Sequence, residues 1–187
     1  PAPGNHLFKS VALDIIGYNY HNANIPDVPK NFPGKPFIIT ESNSALATRG
    51  YYRMPSDKEL LWPERWDKPF YDSSFSCSSY DNCHAPWGNT HEETLKLVRD
   101  NDFVSGQYVW TGFDYIGEPT PFGWPARSSY FGIVDLAGFP KDTYYLYQSE
   151  WSEEQVLHLF PHWNWKPGQV VDMWCYYNKA DEVELFV

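Results

Sequence analysis

Glu41 is the residue whose type and position are best suited to chemistry. It directly follows residues 37–40, Phe-Ile-Ile-Thr, a short apolar run that predicts a buried strand. Open α/β sheets and barrels build their sites at the carboxyl ends of such strands, so a functional carboxylate is one interpretation of Glu41. The other is structural: an edge carboxylate that caps a helix or pairs with Arg49.

Two further predicted strands, residues 11–17 and 104–110, also end in polar and aromatic residues. The side chains at these two ends that could bind a ligand are Asn19, Tyr20, His21, Trp110 and Asp114. Packing alone does not readily explain three successive strands with such ends. The runs at residues 11–17 and 37–40 lack polar alternation, which predicts a sheet covered on both faces, as in parallel α/β folds.

The order of elements predicts successive β/α units followed by a different architecture. A long insertion spans residues 42–88, with a helical signal at Ser56-x-x-Glu59, and the capping box Thr90-x-x-Glu93 begins a helix that reaches about residue 101. A second helix is predicted over residues 140–151. Three short strands separated by turns then predict part of an antiparallel sandwich, at residues 155–160, 170–177 and 183–187. The predicted domains are residues 1–152 and 153–187.

Composition narrows the class of ligand. The formal charge of −10 disfavours nucleic acid and anionic lipid as partners, and no apolar run approaches the roughly 20 residues of a membrane span. Aromatic residues make up 19% of the chain, including nine tryptophans. Because aromatic faces pack against the apolar C–H faces of sugar rings, carbohydrate is the favoured partner.

Cysteine and histidine spacing gives little support for a metal site, and we expect none. A disulfide between Cys77 and Cys83 is possible, and Cys175 would then stay free. No second pair of ligands accompanies these cysteines at zinc-site spacing. His158 and His162 are four residues apart, but they lie in a segment that alternates like a strand, so they should not share a helix face.

Four runs in order give the chain a specific resemblance to glycoside hydrolase family 2. They are DIIGYNYH (14–21), PFIITES (36–42), GQYVWTGFDYIGEPTP (106–121) and YFGIVDLAGFPK (130–141). The likeness is greatest to bacterial β-galactosidases. It implies an α/β fold in which residues 11–151 are the last three β/α units of a (β/α)8 TIM barrel. Residues 155–187 resemble the first strands of the Ig-like β-sandwich that follows the barrel in many such enzymes.

The resemblance also implies roles for individual residues. Glu41 corresponds to the catalytic nucleophile of a retaining mechanism, and Tyr20 to a tyrosine that hydrogen-bonds it. Trp110 corresponds to the floor of the subsite for the cleaved sugar, with a cis peptide bond to Thr111. The other candidates for substrate contact are Asn19, His21, Asp114, Glu118 and Trp87, with Asp81 and His84 as weaker ones. No cofactor is expected.

The general acid/base should lie outside this chain, because the family's glutamate follows an asparagine and no Asn-Glu pair occurs here. A (β/α)8 barrel takes about 250 residues. We therefore expect a missing N-terminal barrel segment, or self-association, to complete the sheet, and little activity from the chain alone. A periplasmic or secreted location is plausible from the family. The alternatives are a non-catalytic carbohydrate-binding module and a structural sandwich protein.

Overall fold

A computed structural model describes residues 6–10 and 12–186. The helices are α1 (His6–Lys9), a 3-10 helix (Asn22–Asp27), α2 (Val28–Asn31), α3 (His91–Arg99) and α4 (Asp142–Trp151). The strands are β1 (Ile16–Asn19), β2 (Phe37–Asn43), β3 (Leu60–Leu61), β4 (Cys83–His84), β5 (Val104–Trp110), β6 (Leu157–Phe160) and β7 (Trp174–Tyr177). Within the described ranges, no helix combines the length and apolarity needed to cross a membrane.

The central feature is a parallel three-stranded sheet in the order β1-β2-β5. At its carboxyl edge Asn19 lies opposite Glu41, and Asn43 lies opposite Trp110. The prediction that three strand ends converge is therefore confirmed. The first strand is shorter and later than predicted: it begins at Ile16, whereas Ile15 is 59% exposed, and residue 11 lies outside the described residues.

One face of the sheet carries a hydrophobic core. Ile16, Phe37 and Ile39 are buried against Ile25 and Val28 of the connecting helical segment. On the other face Gly17, Asn19 and Thr40 are exposed, so β1 and the first half of β2 alternate in burial. The prediction of two covered faces is wrong for the described residues, because the elements they contain pack on one side only.

The insertion over residues 42–88 is ordered around its own core. Leu46, Cys77 and Cys83 are buried there together with Phe122 and Phe131 from the loop after β5. All three cysteines of the chain are free thiols, so no disulfide joins Cys77 to Cys83.

The helix predicted from Ser56-x-x-Glu59 does not form: residues 56–59 contain a turn. Both Ser56 and Glu59 make contacts with distant residues. The Ser56 N–H donates to Asp172 Oδ2 at 2.7 Å, and Glu59 Oε1 lies 2.6 Å from His84 Nε2.

The two longer helices agree with the sequence patterns. The Thr90 hydroxyl accepts from the Glu93 N–H at 3.2 Å, as the capping box predicts.

After α4, β6 and β7 form an antiparallel pair. The strand predicted at residues 183–187 is not formed by residues 183–186, which pair with no strand among the described residues. Residue 187 lies outside the described residues.

Candidate active site

A pocket of about 310 Å³ opens at the carboxyl edge of the sheet. Its lining combines the ends of all three parallel strands with two loops: Tyr20, Glu41, Ser44, Trp87, Trp110, Glu118 and Phe131. Five of these side chains are among the predicted site residues. The structure therefore brings Tyr20, Glu41, Trp87, Trp110 and Glu118 together.

Tyr20 holds the carboxylate of Glu41 in place. The Tyr20 hydroxyl donates to Glu41 Oε2 at 2.9 Å, and the Tyr20 N–H donates to the Glu41 carbonyl at 2.7 Å. The backbone of Tyr20 is left-handed, with φ 57°, directly after β1 ends. Burial raises the pKa of Tyr20, and the hydrogen bond to Glu41 raises it further. The phenol therefore stays protonated and serves as a hydrogen-bond donor to the carboxylate.

Trp110 forms another wall of the pocket at the end of β5. Its peptide bond to Thr111 is cis, so that prediction is confirmed. The Thr111 N–H donates to the Phe131 carbonyl at 3.1 Å, which connects the strand end to the backbone of Phe131, whose buried side chain lines the pocket. The Tyr115 ring lies 6.0 Å from the Trp110 ring, and its hydroxyl donates to Glu118. The loop after β5 thus presents an indole and a carboxylate to the pocket.

The end of the insertion folds back onto β2 and brings Trp87 to the pocket. The Trp87 indole N–H donates to Ser44 Oγ at 3.0 Å. A Cβ on Gly88 would lie 2.0 Å from the Asn43 carbonyl oxygen, so only glycine permits this close approach. Asn43 and Ser44 themselves have φ values of 75° and 48°. This turn aims Ser44 and Trp87 at the space beside Glu41.

The structure corrects the prediction for Asp114, which is buried in an ion pair rather than directed at the pocket. Its Oδ2 lies 2.7 Å from Lys141 Nζ, where the two side chains are 9% and 1% exposed. Lys141 also donates to the carbonyls of Ala47 at 2.7 Å and Tyr130 at 3.2 Å. Burial is the main cause that lowers the pKa of Lys141 and raises the pKa of Asp114. The pair joins the loops after β2 and β5 to the start of α4.

Four other candidates lie outside the pocket lining. Asn19 Oδ1 accepts from Thr40 Oγ1 at 2.5 Å on the exposed face of the sheet, and His21 precedes the 3-10 helix. The Asp81 carboxylate accepts the first two N–H groups of α3, from His91 and Glu92, so it caps the helix. The ring of His84 is buried between its two partners, Glu59 and the Ala85 carbonyl. Asp81 and His84 therefore have structural contacts in place of the predicted substrate contacts.

Sequence reasoning missed Ser44, Phe131 and Lys141. Ser44 lies three positions after Glu41, at the turn where the strand ends. This closeness to Glu41 could have indicated that Ser44 lines the same pocket. Phe131 and Lys141 lie in the run 130–141, but nothing in its sequence shows that Phe131 lines the pocket or that the Lys141 side chain is buried. In the described ranges no group of three or more His, Cys, Asp or Glu side chains is arranged to hold a metal ion.

Comparison with known proteins identifies the family. No protein-family model matches the chain. Over all 187 residues it is 82% identical to the β-galactosidase BoGH2A of Bacteroides ovatus, of which it covers 22%. The chain belongs to glycoside hydrolase family 2. A putative β-glucuronidase of Formosa agariphila is 37% identical over 202 aligned residues, which cover 94% of this chain and 19% of that protein.

Solved structures agree with this family 2 assignment. A β-glycosidase from Bacteroides vulgatus superposes with a TM-score of 0.72 at 31% identity, over 89% of this chain and 24% of that one. A putative β-galactosidase from Bacteroides fragilis has a TM-score of 0.56 at 24% identity and supports the fold alone. The family 2 chain therefore spans about a quarter or less of each of these longer proteins.

Proposed function

We propose that the protein containing this chain hydrolyses terminal β-galactosidic bonds with retention of configuration, and that Glu41 is the nucleophile. The observation that carries the proposal is the hydrogen bond from Tyr20 to Glu41 at 2.9 Å, in a pocket that also presents Trp110. The identity of 82% to a protein named a β-galactosidase supports galactose as the cleaved sugar.

The chemistry follows a double displacement. The Glu41 carboxylate attacks the anomeric carbon, the glycosidic C–O bond breaks, and an acid protonates the departing oxygen. Water, deprotonated by the same second group, then attacks the anomeric carbon and releases Glu41 as a carboxylate. Tyr20 orients the attacking oxygen, and the Trp110 indole packs against the sugar ring.

The acid/base of this mechanism lies outside the chain. Retaining enzymes place their two carboxyl groups about 5–5.5 Å apart. Glu118 is the other carboxylate in the lining of the pocket, and it already accepts a hydrogen bond from Tyr115. Glu118 is therefore suited to accept a hydrogen bond from a sugar hydroxyl, with Trp87 beside it. The sugar contacts of Asn19 and His21 stay predictions.

The sheet represents the last three β/α units of a (β/α)8 barrel, with the barrel part at residues 1–152 and the start of a sandwich at 153–187. Two features support this arrangement. The order β1-β2-β5 is parallel and sequential, and β1 and β5 are edge strands in the described residues. The exposed face with Gly17, Asn19 and Thr40 would then line the barrel interior. A preceding segment of the longer protein, rather than a second copy, would pair with the edges.

The stereochemistry of hydrolysis by the full-length protein tests this function. Proton NMR during cleavage of 4-nitrophenyl β-galactoside should show β-galactose first and the α-anomer only later, as mutarotation proceeds. Initial release of α-galactose would contradict the retaining mechanism. Binding of galactosides without any hydrolysis would favour the carbohydrate-binding module instead.

Tyr20→Phe removes the donor to Glu41 and leaves the ring in place. Hydrogen bonds to charged groups contribute about 1.5–3 kcal/mol, so kcat should fall roughly 10- to 100-fold. The thermal midpoint should change little, because the phenyl ring keeps its packing. Steady-state kinetics and a melting curve on the full-length protein check both. Wild-type kcat in Tyr20→Phe would show that the phenol does not act on the nucleophile.

A further inference from the structure

A buried polar side chain lies in the turn that follows Glu41. Asn43 is the last residue of β2 and is fully buried, and its backbone is left-handed, with φ 75°. Asparagine adopts this conformation more readily than most residues other than glycine, but partners are needed to hold a turn in one geometry. The partners of Asn43 therefore influence how the side chains of Glu41 and Ser44 are directed.

Both ends of the Asn43 amide are hydrogen-bonded. Nδ2 donates to the Thr90 carbonyl at 3.1 Å, directly before α3, and Oδ1 accepts from the Ser42 hydroxyl at 2.6 Å. The Tyr147 hydroxyl, on α4, donates to the same Oδ1 at 3.3 Å. One buried amide thus joins the end of β2 to the start of α3 and to the middle of α4.

The hydrogen bonds continue from Tyr147 to His91 in the first turn of α3, where His91 Nδ1 lies 2.8 Å from the Tyr147 hydroxyl. Asn43 Oδ1 can only accept, so the single hydrogen of that hydroxyl is used there, and His91 Nδ1 must supply a hydrogen of its own. His91 and Tyr147 are 3% and 4% exposed. Burial lowers the pKa of His91 to about 3, so its imidazole is neutral. The hydrogen bonds therefore run from His91 through Tyr147 to Asn43 without a charge.

A buried polar network of this kind is costly as a means of filling a core. It destabilises the protein if one hydrogen bond is missing, whereas apolar side chains carry no such penalty. Its benefit is geometric, because each satisfied member restricts the orientation of the next. Here the restricted element is the turn at Asn43, two residues after Glu41.

We propose that Asn43, Tyr147 and His91 are positioning residues for the nucleophile. Asn43 holds the turn, Tyr147 holds the Asn43 amide, and His91 holds the Tyr147 hydroxyl. None of the three is among the residues that line the pocket, so they act on the attack by Glu41 rather than on sugar binding. The inference rests on the proposed function, because Glu41 must be the nucleophile.

The rate of covalent labelling isolates the attack step in the full-length protein. 2,4-Dinitrophenyl 2-deoxy-2-fluoro-β-galactoside needs only the first displacement to label the nucleophile. In Tyr147→Phe the labelling rate at saturation should fall about tenfold, since a misplaced nucleophile slows attack. The concentration that gives half the maximal rate should change little. Asn43→Gly permits the left-handed backbone but removes the amide, and its labelling rate should fall at least as far.

Tyr80→Phe is the matched control for the loss of a buried phenol. Tyr80 is fully buried, and its hydroxyl donates to the Asp172 carbonyl at 2.6 Å, outside the pocket lining. This variant should lower the thermal midpoint to a similar extent as Tyr147→Phe, and should keep the wild-type labelling rate.

The outcomes separate this inference from the function on which it rests. A wild-type labelling rate in Tyr147→Phe would overturn the positioning role, whatever Asn43→Gly does. Equal falls in Tyr147→Phe and Tyr80→Phe would overturn it as well, because lost stability alone would then explain both rates. If the wild-type protein takes up no label, or takes it up on a carboxylate other than Glu41, the proposed function itself fails and the inference fails with it.

Discussion

Full-length protein with Glu41→Ala is expected to lose about 10⁴-fold or more in kcat, the scale of removing a nucleophile from an enzyme that depends on it. The pocket explains why the loss should be confined to chemistry. Glu41 is half-buried, and its side chain accepts a hydrogen bond from Tyr20, so alanine removes the attacking oxygen without opening the core around Ile16 and Phe37. Steady-state kinetics and a melting curve measure the two effects separately.

Added azide should partly restore the turnover of Glu41→Ala on a substrate with a good leaving group. The space left by the carboxylate admits the small anion, which forms a C–N bond to the anomeric carbon as the bond to the leaving group breaks. Because this is a single displacement, the product should be α-galactosyl azide. Glu118→Ala is the matched control, since it removes the other carboxylate in the pocket lining and should not be rescued. Rescue of Glu118→Ala in place of Glu41→Ala would contradict the assignment.

The second large effect is on stability. Lys141→Met should destabilise the folded protein by about 3–5 kcal/mol, because it leaves the Asp114 carboxylate buried without its partner. The Lys141 side chain is 1% exposed, and its ammonium also donates to the carbonyls of Ala47 and Tyr130. Denaturation of the full-length protein, followed by tryptophan fluorescence, measures the loss.

A double variant distinguishes the buried charge from the lost packing. Lys141→Met combined with Asp114→Leu should be more stable than Lys141→Met alone, since it removes the unpaired carboxylate. Lys30→Met is the surface control and should change stability little, because Lys30 is exposed. If the double variant is as unstable as the sum of the two single variants, the ion pair is not the origin of the effect.

The sequence predicted best those features that depend on residues close together in the chain. Apolar runs identified the strands that end near Tyr20, Glu41 and Trp110, and parallel pairing brought these ends to one edge. The family resemblance supplied the cis bond after Trp110, which no periodicity encodes. The capping box at Thr90 was sufficient to place the start of α3, because its hydrogen bond is local.

Long-range partners were not predictable in the same way. Asp114 resembled a sugar ligand because it follows a strand, and only the fold reveals Lys141 beside it. Ser56 and Glu59 satisfied a helix signal, yet tertiary contacts to Asp172 and His84 were favoured over that local preference. A strand also needs a neighbouring strand to pair with, and residues 183–186 have none among the described residues. Their apolar pattern alone therefore predicted a strand that does not form.

A mechanism-based label gives the most direct test of the nucleophile. The full-length protein would be treated with 2,4-dinitrophenyl 2-deoxy-2-fluoro-β-galactoside, whose fluorine slows the second displacement and traps the glycosyl ester. Peptide mapping by mass spectrometry should place one fluorosugar on Glu41, and Glu41→Ala should take up none. A label on any other carboxylate, with Glu41 unmodified, would contradict the central claim.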